Sequence, residues 1–434
     1  MDFPIFQLPL LGNRLLIAIV GVVHVLISHG CAIGGSLVVV WLEYRFIKTG
    51  DGRWNDLAYR ILRILIILTT TLGALSGVGI WFTTAVVSPQ GIGSLLRIFF
   101  WAWAIEWVIF VIELLLFLSY YLTWYKIDPE KHIKIGIGYI VFSYFTLIII
   151  MGILGAMLTP GRWLTTHRFW DGYLNATFLP QLVSRTAMAV MLSCGFGLLI
   201  SAFFRIEKDI RSSFHRLMGK WMIISSIAFV LSSIFYYKTL PSIPEVVTAI
   251  AFNTRTYEKY LAMSKFLIPV TGIILVLAGC ILCFLGHAIK RGTLFLPLLI
   301  MVIMVGQYER VREFVRKPYV IYNYMYSNGI RVADESFLSK KGILENAQWV
   351  KWQSAKEPSK KELGHMVFRI ECSVCHTYRG VNGIFRNVRG WDEETILNFI
   401  TSYKYTHPYM PPFIGTEEER NALVSFLDTG KEER

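Results

Sequence analysis

Long apolar runs alternate with short polar breaks as far as about residue 313, and the pattern then changes. Runs long enough to span a bilayer as helices fall at about 15–42, 58–87, 95–124, 134–158, 180–204, 215–237, 260–288 and 293–313. They predict an all-α fold: a polytopic bundle of about eight transmembrane helices. Residues Met1 to Arg14 read as a short interfacial segment. Tyr319 to Leu363 is polar, aromatic-rich and basic, which suits an ordered connector. From about Gly364 the pattern is that of a small helical domain, closing on a charged amphipathic helix from about Thr416 to Leu427. The expected domains are 1–318 in the membrane, 319–363 as connector and 364–434 as the small domain.

Composition supports this division. The 434 residues are 54% hydrophobic with a mean hydropathy of +0.50, which a soluble enzyme of this length would not show. The net charge of +13 is read as basic loops rather than as nucleic-acid binding. Basic residues cluster in every second loop: near Arg45, Lys48, Arg53 and Arg60; near Lys126, Lys131 and Lys134; near Arg205, Lys208, Arg211 and Arg216; and near Lys290 and Arg291. The positive-inside rule then places both termini outside. No cleavable leader is recognised, so the first helix is expected to act as an uncleaved signal. Cys31, Cys194, Cys280 and Cys283 fall in apolar segments and read as packing residues.

The remaining two cysteines form Cys372-Ser373-Val374-Cys375-His376. Two thiols followed at once by a histidine are the attachment signature of a c-type haem. Cys372 and Cys375 become thioethers and His376 the proximal iron ligand. Met410, in Tyr409-Met410-Pro411-Pro412-Phe413, is the candidate for the opposite ligand. Over about Gly364 to Gly430 the chain resembles a class I monohaem cytochrome c. That resemblance implies a domain on the outer face of the bacterial cytoplasmic membrane, in agreement with the loop charges.

Ionisable residues at membrane depth are costly and are functional candidates. They are His24 in the first helix, Glu106 and Glu113 in the third, and Glu313 at the end of the last, with Arg310, Arg312 and Arg316 around it. Glu106 and Glu113 are nearly two turns apart and share a face. Iron coordination, an arginine partner or a proton path would each account for these residues. Packing is the plain alternative for His24, and an interfacial ion pair for Glu313. His29, five residues beyond His24, points to a different face.

Several segments around these residues resemble subunit I of the cytochrome bd quinol oxidases, over about Leu15 to Ile330. Val22-Val23-His24-Val25-Leu26 resembles the family's N-terminal haem-ligand histidine. Gly73-Ala74-Leu75-Ser76-Gly77 resembles its glycine-rich segment, and Trp103-Ala104-Ile105-Glu106 its Ala-Ile-Glu glutamate. Arg312-Glu313-Phe314-Val315-Arg316-Lys317-Pro318-Tyr319 resembles its Glu-x-x-Arg-Gln-Pro-Trp motif. The resemblance implies membrane haems, of type b and conceivably d, held by His24, Glu106 and Glu313, with Arg316 nearby and Glu106 and Glu113 ligating iron or relaying protons. It also implies a subunit II-like polytopic partner.

Two departures stand out. Where the family's low-spin haem b has a histidine in the fifth helix, this chain has Ser184 or Arg185. Near the methionine of the seventh helix it has Leu267. The quinol-site loop, about Lys238 to Tyr260, is also short. The resulting expectation is a bd-like oxidase subunit without the quinol-side haem. A periplasmic redox protein would feed it through haem c, docking near the basic connector. A non-oxidase electron-transfer subunit and a haem c anchor remain as alternatives.

Overall fold

The computed structural model describes residues 6–240, 259–286, 288–346 and 358–429. Among them, eight helices are long and apolar enough to cross a membrane: Asn13–Thr49, Gly52–Val87, Phe100–Leu122, Pro129–Leu158, Phe178–Ala202, Lys208–Lys238, Leu267–Leu285 and Arg291–Val315. The chain is a multi-pass, all-α membrane protein. The expected quinol-site loop lies for the most part outside the described residues.

Local chemistry sets the ends of these spans. Asp51 opens the second by accepting the Arg53 backbone N–H at 3.1 Å, and Asp128 opens the fourth by accepting that of Glu130 at 3.0 Å, with Pro129 in the first turn. Gly50 closes the first span in the left-handed conformation, φ 68°. The apolar run expected from residue 95 is divided. Pro89–Ile98 forms a separate helix, and the third span starts at Phe100, after a non-helical Phe99. The first two spans each contain a π-helical turn, Ser28–Ile33 and Thr69–Gly73. Such turns shift the side-chain phase and recur at functional sites.

The described chain forms two compact units. One comprises Gly21–Val78 and Phe99–Arg312, the other Met1–Val20, Gly79–Ile98 and Glu313–Arg434. The first is a helix bundle with a core that includes Val39, Leu62, Met188, Leu192, Phe214 and Met218. Backbones meet closely there. A Cβ on Gly34 would lie 2.1 Å from the Ala189 carbonyl oxygen, so only glycine permits the first and fifth spans to approach this far. Large apolar side chains such as Trp101, Trp107 and Leu75 face outward, as lipid contact requires.

The second unit holds an antiparallel pair of short strands, Tyr319–Ile321 and Met325–Tyr326, and the helices Lys360–Glu371, Glu393–Thr406 and Glu417–Asp428. Ser359 with Glu362, and Thr416 with Glu419, form reciprocal capping boxes at two helix starts. A Cβ on Gly364 would fall 1.9 Å from the Ala422 carbonyl oxygen, so these helices cross backbone to backbone. Tyr326 and Ile343 share one core with Val367, Phe368, Ile414 and Leu423. The segment read from sequence as a connector therefore contributes to the core of the cytochrome c region. Glu419, 8% exposed, fixes it there by accepting the backbone N–H groups of Ile343 and Leu344 at 2.8 and 2.9 Å.

Candidate haem sites

The Cys372–His376 stretch leaves the end of the helix Lys360–Glu371 as a tight turn. The N–H groups of Cys375 and His376 both donate to the Cys372 carbonyl, at 3.0 and 2.9 Å. Asn382, at φ 53°, donates from its side chain to the Cys375 carbonyl at 2.8 Å. The Asn382 carbonyl in turn lies 3.2 Å from His376 Nδ1. A proton on Nδ1 leaves Nε2 free and able to coordinate, which is how second-shell bonds orient metal-ligating histidines. Burial holds the imidazole basicity down, to a pKa of about 4, against the opposing pull of the Asn382 carbonyl. The ring is therefore neutral and able to ligate. A small cavity beside His376 is lined by Gln7, Leu8, Phe368, Thr377 and Tyr378 among others. Two free thiols, Cys372 and Cys375, beside a neutral imidazole fit a covalent haem c.

The segment expected to be interfacial contributes to this wall. Val381 donates its N–H to the Leu10 carbonyl at 2.8 Å, and Tyr378 donates its hydroxyl to Gln7 at 3.2 Å. Met410 is half-buried in a turn where its N–H donates to the His407 carbonyl at 2.9 Å. The loop after it is tied down by Glu371, 9% exposed, which accepts from the Ile414 N–H at 3.1 Å and from Asn328 Nδ2 at 2.7 Å. Burial pushes the Glu371 carboxyl up to about 8.

In the bundle, His24 is set against the glycine-rich segment expected to accompany it. His24 Nδ1 lies 3.1 Å from Ser76 Oγ, and Ser76 donates its own proton to the Leu72 carbonyl at 2.6 Å. Ser76 Oγ thus accepts from His24 Nδ1–H, which leaves Nε2 without a proton. A Cβ on Gly77 would lie 3.3 Å from His24 Cε1, so glycine makes room for the ring. His29 is buried, with Nδ1 3.1 Å from Ser28 Oγ.

Glu106 and Glu113 lie on one span and are each partly buried. Glu113 accepts from Thr146 at 3.1 Å and also hydrogen-bonds Tyr139. Glu313 belongs to the other unit. Arg316 donates to both of its oxygens at 2.7 Å, and Arg14 lies 3.8 Å away.

The position expected to lack a haem-ligand histidine is filled by an ion-pair network. Arg185, 1% exposed, pairs with Glu309 and lies over the Tyr308 ring at 5.2 Å. Arg312 donates to Glu309 at 2.9 Å. Ser184 donates to Ser232 at 2.9 Å. Glu309 escaped the sequence reading, although it lies one turn before Glu313 on the same helix. A second cluster also escaped it. Glu43, 2% exposed, accepts the Tyr120 hydroxyl at 2.6 Å and lies 2.6 Å from His132 Nδ1. Its members come from three spans, and their juxtaposition leaves no local signal.

Residues 360–427 match the family described as cytochrome C oxidase, cbb3-type, subunit III. Among solved structures, the bd oxidase from Geobacillus thermodenitrificans superposes with a TM-score of 0.64 at 16% identity, covering 78% of this chain and 95% of that one. No curated protein matches the chain in sequence. The chain thus joins a membrane bundle with the fold of a bd oxidase chain to a C-terminal cytochrome c domain.

Proposed function

We propose that this chain is the haem-bearing subunit of a respiratory membrane complex. It accepts electrons at a haem c outside the cytoplasmic membrane and passes them to membrane haems that reduce dioxygen to water. Cys372 and Cys375 tether haem c, and His376 and Met410 ligate it. His24, Glu106 and Glu313 are the ligands for membrane haem of type b or d. The haems supply the one-electron steps and the oxygen chemistry. The chain fixes ligand direction through Ser76 and Asn382. It holds protons at Glu106 and Glu113, on one face of a span, with Tyr139 and Thr146 steadying the second carboxyl.

The observation that carries the reading is His24, held through Nδ1 by Ser76 with a glycine beneath its ring. That bond supports ligation because it leaves Nε2 without a proton and available to iron. The Arg185–Glu309 pair supports the companion inference of a changed electron donor. A buried arginine paired with a carboxylate stands where a quinol-side haem ligand is expected. The alternating loop charge supports termini outside the membrane. A polytopic subunit II-like partner and a periplasmic donor redox protein complete the complex.

The test is a pyridine haemochrome assay on the purified complex, followed by reduced-minus-oxidised spectra with and without carbon monoxide. Haem c plus a carbon monoxide-sensitive high-spin haem is expected, and His24→Ala removes the membrane signal while sparing haem c. Low-spin signals alone would make the chain a conduit between redox partners, and haem c alone would make it an anchor. Either result overturns the oxidase.

A further inference from the structure

We propose that electrons leave haem c through Tyr409 and Phe314, whose rings join the Met410 loop to the Glu313 end of the last span. The proposal rests on the reading of Met410 and Glu313 as iron ligands, the first of haem c and the second of a membrane haem. Both rings belong to the unit that holds Glu313–Arg434. Phe314 is 8% exposed and directly follows Glu313, and Tyr409 directly precedes Met410. Their ring centroids lie 5.6 Å apart at an interplanar angle of 42°, which is contact distance for an aromatic pair. His407 meets the Tyr409 ring edge-on at 5.6 Å, and Phe399 meets His407 at 5.3 Å. The Met410 N–H donates to the His407 carbonyl at 2.9 Å, so the loop and the Tyr409 ring are set by the same residue.

Electron transfer between haems that do not touch is tunnelling. Its rate falls exponentially with distance, and more steeply across empty space than through bonds and packed atoms. Between Met410 and Glu313 the ring route runs through covalent bonds except at one contact, the Tyr409–Phe314 pair. A rival route runs from the Cys375 sulfur through Arg14 to Glu313. It crosses two gaps of 3.8 Å each, and its bridge is a long side chain that is 32% exposed. One packed contact between rigid rings carries an electron better than two gaps spanned by a flexible chain. The step balances simply: ferrous haem c loses one electron and a ferric membrane haem gains it. Neither ring makes or breaks a bond, and neither exchanges a proton. Tyr409 and Phe314 act as positioned bridges, and the iron ligands remain Met410 and Glu313.

Electron backflow in the purified complex tests the route. Carbon monoxide is flashed off the partly reduced protein without oxygen, and the return of electrons from membrane haem to haem c is followed at the haem c band. Tyr409→Leu and Phe314→Leu should each slow that phase several-fold, and Tyr409→Phe, which keeps the ring, should hold the parental rate. Redox titration of the same samples should show every midpoint within a twofold change in equilibrium constant, about 18 mV at about 59 mV per tenfold for a one-electron couple. Slowing that appears only together with larger midpoint shifts, or with loss of the methionine–iron band, would make the rings structural and overturn the bridge. An unmoved rate in both leucine variants, or slowing in Arg14→Gln alone, also overturns it while leaving the haem assignments intact. A wild-type complex without a carbon monoxide-sensitive haem overturns the functional reading beneath it, and the route with it.

Discussion

Glu371 makes the cytochrome c region sensitive to pH, and Glu371→Gln isolates that effect. The carboxyl is buried between the Asn328 amide and the Ile414 N–H, and burial raises its pKa from 4.5 to about 8. Between those values the folded chain keeps a proton that the unfolded chain has released. Stability is therefore fully present below pH 4.5, falls as pH rises, and levels off above about 8. At about 1.4 kcal/mol per pH unit, the interval sums to a loss of ~5 kcal/mol. Glutamine cannot ionise, so the variant lacks this slope. Its amide NH2 faces a donor where the acid had an oxygen, which costs about 1–3 kcal/mol. The variant should be less stable than the parent at pH 4.5 and more stable at pH 9. Guanidinium titrations of the purified full-length chain at several pH values, followed by haem c absorbance, would show the crossover. Parallel pH profiles for variant and parent would refute the reasoning.

Three further outcomes follow from the geometry. Arg185→Met leaves the buried Glu309 carboxylate with Arg312 as its partner and should cost up to about 3–5 kcal/mol, the upper figure being that of a fully stranded charge, whereas Arg185→Met with Glu309→Met should cost less; thermal denaturation in detergent compares them. Glu419→Ala removes the acceptor for the Ile343, Leu344 and Thr416 N–H groups and should cost about 2–4 kcal/mol, read by protease release of the 319–346 segment. Ser76→Ala leaves the His24 ring but frees its orientation, so the carbon monoxide difference spectrum should persist with ligand affinity weakened about 10- to 100-fold. An unchanged affinity would mean that Ser76 does not orient a ligand.

Much of the fold was legible because membrane helices announce themselves by length and apolarity. Fine limits were less so. A π-turn at Ser28–Ile33 and another at Thr69–Gly73 have no compositional mark, since each depends on how its neighbours pack. The connector read as a separate piece because its residues are polar on average, yet Tyr326 and Ile343 are core residues. Average composition conceals which few positions turn inward.

By itself the sequence determined the spans, the Cys372–His376 motif with its cysteines and histidine, and the absence of a histidine at Ser184 and Arg185. Those features are local: a run of apolar residues, a fixed spacing, a missing side chain. Tertiary structure decided what each charge meets. It paired Arg185 with Glu309 across more than a hundred residues, seated His24 on Ser76, and brought Arg14 and Lys317 to Cys375. A charge buried in a low-dielectric interior must find a partner, and which partner it finds depends on chain packing that no single stretch encodes.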